Sequence, residues 1–73
     1  MPIHNAKELG ALIKKVRKQS NMTQAELAAA SGVGERFIRE LEQGKASCQL
    51  GKALLITRML GIKLEAHIPL IKE

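Results

Sequence analysis

The sequence predicts an all-α domain of four short helices followed by a C-terminal β-strand that needs a second copy of the chain as its partner. Three observations carry this reading. Apolar residues recur at helical spacing in successive segments of residues 1–61, and capping residues open the first two of them. Ser20–Asn21, Gly32, Gly44 and Gly61 punctuate those segments as turn residues. From Ile62 onward the period changes to two. Ile62, Leu64, Ala66, Ile68 and Leu70 alternate with Lys63, Glu65, His67 and Pro69, the pattern of a strand with one covered face. The chain therefore divides into a helical body, residues 1–61, and a tail, residues 62–73.

Helix 1 opens near residue 6, where Asn5 and Glu8 have capping-box spacing. Leu9, Leu12, Ile13 and Val16 give it one apolar stripe, and Lys7, Lys14, Lys15 and Lys18 fall mostly off that stripe. A basic amphipathic helix also suits a membrane surface, but this one has no aromatic anchor. Thr23 and Glu26 form a second capping box, opening a helix that carries Leu27 and Ala28 inward and stops near Ser31. Gly32 supplies a residue free to take positive φ, Val33 plugs the turn, and Gly34 starts a third helix with Ile38 and Leu41 inward and Gly44 as its end. A small residue, a glycine four positions on and a β-branched residue six after that are the packing demands of a helix-turn-helix. Helix 4 is expected over residues 48–60, capped by Ser47 and stopped by Gly61, with Leu50, Ala53, Leu54, Thr57 and Leu60 facing the core. Leu55 and Met59 are left over, an apolar i, i+4 pair with no place inside a monomer.

A lone strand cannot satisfy its own backbone groups, and the sequence offers no second strand. The economical partner is the symmetry mate, in a two-fold antiparallel pair lying across helix 4. Leu55, Met59, Ile62, Leu64, Ala66, Ile68 and Leu70 then form the dimer interface. A domain of this length buries only about 60% of its unfolded surface as a monomer, so dimerisation relieves a marginal core.

Lys and Arg number 12 against 7 acids. The tail is balanced (Lys63 and Lys72 against Glu65 and Glu73), so the whole net charge of +5 lies on residues 1–61. A basic helical body points to a polyanion partner. Enzyme chemistry finds no inventory: His4 and His67 stand far apart, and neither a nucleophile–base pair nor metal-ligand spacing is present. No cofactor is expected. Cys48 is the single cysteine, which rules out an internal disulfide and makes a reducing compartment the default. It reads as a small half-buried filler; its predicted place in the first turn of helix 4, where a thiolate is favoured, gives a redox sensor as the lesser alternative. No apolar run approaches the roughly 18 residues of a membrane span, and no signal-peptide pattern opens the chain. A cytoplasmic protein that does not enter membranes is expected.

The run TQAELAAASGVGERFIRELEQGK, residues 23–45, resembles the helix-turn-helix of the phage Cro/repressor (Xre) family. Gln24, Ala28, Gly32, Ile38 and Leu41 stand at matching spacing, and the likeness spans roughly residues 8 to 61. It departs at Gly34, where the family usually has a Ser or Thr cap; glycine caps nearly as well, and only a hydroxyl contact to a phosphate is forgone. The resemblance implies a lambda-repressor-like domain that lays its third helix in the major groove of double-stranded DNA. It places Glu35, Arg36 and Glu40 at base-contacting positions, and Gln24 at a phosphate. Charge and helical geometry add Arg39 to the base face and Lys45 to the phosphate contacts. Arg36 is the first candidate for base reading, since a guanidinium bonds guanine O6 and N7 together. Glu35 and Glu40 have two readings, as acceptors from cytosine N4 or as salt partners of the neighbouring arginines. Phe37 either packs on the helix edge or touches a thymine methyl. The family also pairs an arginine late in helix 1 with a glutamate late in the recognition helix, and Arg17 and Glu42 occupy those positions. GERFIRELEQGKA, LGKALL and LGIKLEAHIPL are similar to the HipB-type antitoxins in particular. That similarity implies a homodimeric repressor of a palindromic operator, autorepression of its operon and binding of a HipA-like kinase toxin. A free-standing phage-type repressor and a protein-interaction module on the same fold are the alternatives.

Overall fold

The computed structural model describes residues 3–45 and 49–65. They form α1 (Ala6–Gln19), α2 (Gln24–Ser31), α3 (Glu35–Glu42) and α4 (Leu50–Met59), with no strand among the described residues. α2 packs against α3 and α4, and α1 packs against α3.

The first two helix starts follow the capping chemistry with one difference, and α3 and α4 start after Gly34 and Gln49 without a side-chain cap. At α2 the box is complete: Thr23 N–H donates to Glu26 Oε1 at 2.8 Å, and Glu26 N–H donates to Thr23 Oγ1 at 3.0 Å. The hydrogen bond from the Thr23 backbone, then that from its hydroxyl, holds the Glu26 carboxyl below its ordinary range. At α1, Asn5 Oδ1 accepts from Glu8 N–H at 2.9 Å, but the Glu8 carboxylate reaches past the cap to the His4 N–H at 2.6 Å.

All four helices end in one geometry. Asn21, Gly32, Gly44 and Gly61 take φ of 58°, 72°, 83° and 74°, and the next residue's N–H turns back to a carbonyl five positions earlier. These bonds are Met22 to Arg17 (3.2 Å), Val33 to Ala28 (3.1 Å), Lys45 to Glu40 (3.1 Å) and Ile62 to Thr57 (2.9 Å). The pattern satisfies carbonyls the helix leaves open and is usually sealed by an apolar residue after the left-handed one. Met22, Val33 and Ile62 do seal it, packed against the core. After α3 the residue is Lys45, which is exposed.

Ile13, Leu27, Ala28, Ile38, Leu41, Ala53 and Ile56 are the buried core, with Leu9, Met22, Val33, Phe37, Leu60 and Ile62 packed against it. The inward residues expected for helices 1 to 3 are all in or against it apart from Leu12 and Val16, which are half-buried. Gly10 is buried where α1 meets the end of α3: a Cβ there would run into the Leu41 carbonyl oxygen and lie 2.9 Å from that of Glu42. Alanine gains about 1 kcal/mol of helix propensity over glycine, but backbone carbonyls cannot step aside cheaply. Gly10→Ala is expected to lose about 1–3 kcal/mol of stability in urea melts; a variant as stable as the parent would mean that α1 and α3 do not meet this closely.

Helix 4 differs from the sequence expectation. It begins at Leu50 after Gln49 rather than at residue 48, and Leu50 and Leu54 are 68% and 41% exposed rather than inward. The buried residues are Ala53, Ile56 and Thr57, with Leu60 half-buried. Two apolar stripes overlap on this helix, 50–54–57 and 53–56–57–60. The second is the one that joins the core, on a helix that packs against α2. Leu55 and Met59 are exposed as expected, at 39% and 48%. Beyond the helix Ile62 packs on the core of its own chain and Leu64 is exposed. Ser47, Cys48, Ala66, Ile68 and Leu70, and with them most of the expected strand, lie outside the described residues.

Candidate nucleic-acid interface

The site rests on one polar node beneath α3. Arg17 donates through Nε to Glu42 Oε2 at 2.6 Å and through Nη2 to Glu42 Oε1 at 3.0 Å, a bidentate pair. Its Nη1 donates to the Met22 carbonyl at 2.7 Å. Gln24 Nε2 donates to Glu42 Oε1 at 3.1 Å. Because a carboxylate only accepts, this contact fixes which end of the Gln24 amide faces inward. One carboxylate thus ties the last turn of α1, the first residue of α2 and the last residue of α3. The two charged side chains are 8% and 3% exposed. Burial pushes the Glu42 carboxyl up, but the hydrogen bonds from Arg17 and Gln24 and the charges of Arg17 and Lys14 outweigh it and leave it below its ordinary value. The Arg17 guanidinium is raised, chiefly by its hydrogen bond to Glu42.

With Ile38, Leu41 and Glu42 turned inward, a rotation of about 100° per residue sends Arg36, Arg39 and Glu40 to the opposite side of α3 and Glu35 to its flank. Arg36 is 83% exposed, with Nε 3.6 Å from Glu40 Oε2. Lys45 Nζ donates to the same oxygen at 2.9 Å. The Lys45 bond, then the Lys45 and Arg36 charges, hold the Glu40 carboxyl below its ordinary value. Among the described residues Arg39 and Glu35 have no ion pair. Phe37 packs on the core, with Lys52 Nζ 5.7 Å from its ring centre. The structure therefore brings Arg36, Glu40 and Lys45 together with Arg39 on the same side of α3, while Glu35, about 20° of rotation from inward Glu42, stays on the flank. Gln24 stands at the start of α2, half-buried and anchored to the node.

Sequence reasoning missed two parts of this site. The Gln24–Glu42 bond spans elements and leaves no local spacing signal. The Glu40–Lys45 pair lies outside the i, i+4 habit, because it exists only where the turn at Gly44 folds the chain back. Gly44 carried a readable hint, since a left-handed residue after a helix returns the next side chain toward the last turn. A Cβ at Gly44 would also lie 2.5 Å from Lys7 Cα, so glycine is needed there twice over. Among the described residues no helix is long and apolar enough to cross a membrane, and no group of acids, histidines or cysteines gathers to hold a metal.

Two short helices, α2 and α3, packed together across the tight turn at Gly32 are the arrangement of the helix-turn-helix class. The family profile described as Helix-turn-helix matches residues 13–66, and the chain belongs to that family, in its Xre-type form. It is 45% identical over 62 residues to y4mF of Sinorhizobium fredii, named an uncharacterized HTH-type transcriptional regulator, a match covering 85% of this chain and 82% of that protein. It is 32% identical over 73 residues to the ImmF control region 10 kDa protein of Bacillus phage phi105, covering 94% of this chain and 81% of the relative. Among solved structures, it is similar to HipB in a HipB–O4 20-mer complex at TM-score 0.84 and 25% identity, over 93% of this chain and 96% of that one. A chain of the HipA–HipB–O2–O3 complex matches at TM-score 0.85 and 25% identity, with the same shares covered. The chain is thus an Xre-type helix-turn-helix transcriptional regulator with HipB antitoxins as structural neighbours.

Proposed function

We propose that the chain is a homodimeric repressor that binds a palindromic DNA operator sequence-specifically and serves as the antitoxin of a HipBA-like operon, repressing its own promoter and binding a HipA-like kinase toxin. The observation that carries the DNA-binding part is the outer face of α3, with Arg36 and Arg39 exposed on a helix locked from beneath by the Arg17–Glu42–Gln24 node. Arg36 and Arg39 read base edges; Glu35 and Glu40 stand beside them at base-contacting positions. Lys45 and Gln24 bind phosphate. The second N–H of Gln24 Nε2 and the open amides of the α2 start serve that role while Glu42 holds the first. The dimer rests on Leu55, Met59 and Leu64, all exposed, together with Ala66, Ile68 and Leu70 of the tail strand, while Ile62 stays on the core of its own chain. The likeness to a HipA–HipB complex supports the toxin partner. The likeness to a phage control-region protein favours a second reading, a free-standing phage-type repressor without a toxin.

Two substitutions separate the roles. Arg36→Ala should weaken binding to a selected site by about 1–3 kcal/mol per half-site and relax preference at one base position. Gln24→Ala should weaken binding to all sequences alike. Both are read by titrating duplexes selected from a random pool. An Arg36→Ala protein with unchanged base preference would contradict the base-reading role, and a changed preference in Gln24→Ala would contradict the phosphate role.

A further inference from the structure

We infer that Glu40 determines specificity by withholding cations: its carboxylate occupies Lys45 and Arg36 in place of a DNA phosphate, so that random sequence is gripped weakly. The inference deepens the DNA-binding reading above and rests on it. Three observations converge on this residue. One oxygen, Glu40 Oε2, takes the Lys45 ammonium at 2.9 Å and the Arg36 guanidinium at 3.6 Å. Lys45 is brought back to the end of α3 by the backbone, through its N–H bond to the Glu40 carbonyl. Lys45 is also the only one of the four residues following a left-handed helix end that is charged rather than packed on the core. That position gives up an apolar seal and presents a cation beside the recognition face.

The consequence for binding follows from counterion release. A lysine already neutralised by a carboxylate must break that pair to reach a phosphate, and the freed carboxylate is left near the phosphate backbone with its charge uncompensated. Both effects reduce the number of phosphates neutralised on random sequence. The loss is recovered only where a base presents a hydrogen-bond donor to the freed carboxylate, such as cytosine N4 or adenine N6. An acid placed in this way discriminates by penalising wrong partners. Glu35, on the flank and without an ion pair among the described residues, lacks that coupling.

The test uses the full chain and a random-sequence duplex. Glu40→Gln keeps the side chain's shape and removes its charge. It should bind random duplex about five- to tenfold more tightly at roughly 0.1 M salt, and the slope of log K against log salt should steepen by about 0.9 for each cation released per subunit. Affinity for a duplex selected by the unmodified chain should rise less or fall, so the ratio of selected to random binding drops. Lys45→Gln provides the second arm: it should cost random binding more in the Glu40→Gln background than in the parent. Equal or weaker random-duplex binding by Glu40→Gln, with an unchanged salt slope, would overturn the inference. So would strictly additive effects of the two substitutions. An unmodified chain that binds no duplex at any salt would overturn the DNA-binding reading itself, and with it this role for Glu40.

Discussion

Glu42→Ala is expected to remove about 3–5 kcal/mol of folding stability, a large share of the roughly 5–15 kcal/mol that holds a domain of this kind together. The size follows from burial. With side chains 8% and 3% exposed, Arg17 and Glu42 are shielded from water, and the truncation strands a guanidinium with only the Met22 carbonyl as partner. Gln24 loses its acceptor at the same time. An exposed pair would cost under about 1 kcal/mol, so the experiment separates the two cases. Urea melts of Arg17→Met, Glu42→Leu and the double variant should show strong coupling, the double being more stable than either single change, because an apolar pair leaves no charge unpaired. Near-zero coupling would contradict the node.

The same residue sets the acid limit. The Glu42 carboxyl lies below its ordinary value in the folded chain, so the stability it contributes is complete above the unfolded carboxylate value, about 4.3, and is lost as pH falls through the folded one. Glu26 and Glu40 are displaced the same way. Arg17 is displaced upward from an already very high value and adds no pH dependence in the working range. The urea midpoint should therefore decline as pH drops from about 5 toward 3, and Glu42→Gln should flatten that decline. An unchanged slope in the variant would place the acid sensitivity elsewhere.

Deleting residues 64–73 should yield a monomer at micromolar concentration whose helix-turn-helix remains folded. The cut is set after Lys63 because Ile62 seals the end of α4 through its bond to Thr57 and its packing on the core. On the proposed pairing, the deletion would remove the cover of Leu55 and Met59, the exposed pair on α4. DNA binding should fall by roughly 10²–10⁴-fold, since the two recognition helices no longer act as one bivalent unit spaced about 34 Å apart. Sedimentation equilibrium and duplex titration read both effects. A truncated chain that stays dimeric with undiminished affinity would assign the interface to α4 alone and free the tail for another partner.

Where sequence and structure agree, the signal is local. The Thr23–Glu26 box, the Gly32 turn and the Ile38–Leu41 spacing are each set within a few residues, and each stands where the pattern puts it. Arg17 and Glu42 were joined by family position, and the structure gives the pair its depth and its two further partners, Met22 and Gln24. α4 was misphased because its apolar residues form two overlapping stripes, and periodicity alone cannot choose between Leu54 and Ile56 when both lie at helical spacing. The choice is made by tertiary packing, which buries Ile56 and leaves Leu54 exposed. Gly10 is illegible in the sequence for the same reason: glycine in a helix reads as a weak position, and only the fold sets the carbonyls of Leu41 and Glu42 against it. The Glu40–Lys45 pair needed the geometry of the turn at Gly44, which sequence suggests only in kind.

Amide chemical shifts, recorded while a duplex is titrated into the isotopically labelled chain, report whether the outer face of α3 meets DNA. At moderate salt, even a random-sequence duplex should move the amides of Gln24 and Ala25 at the start of α2, of Gly34 through Gln43 along α3, and of Lys45. The amides of Leu55 and Met59 on α4 should stay in place. Shifts confined to α4, or none that respond to salt, would mean that α3 is not the DNA-binding surface.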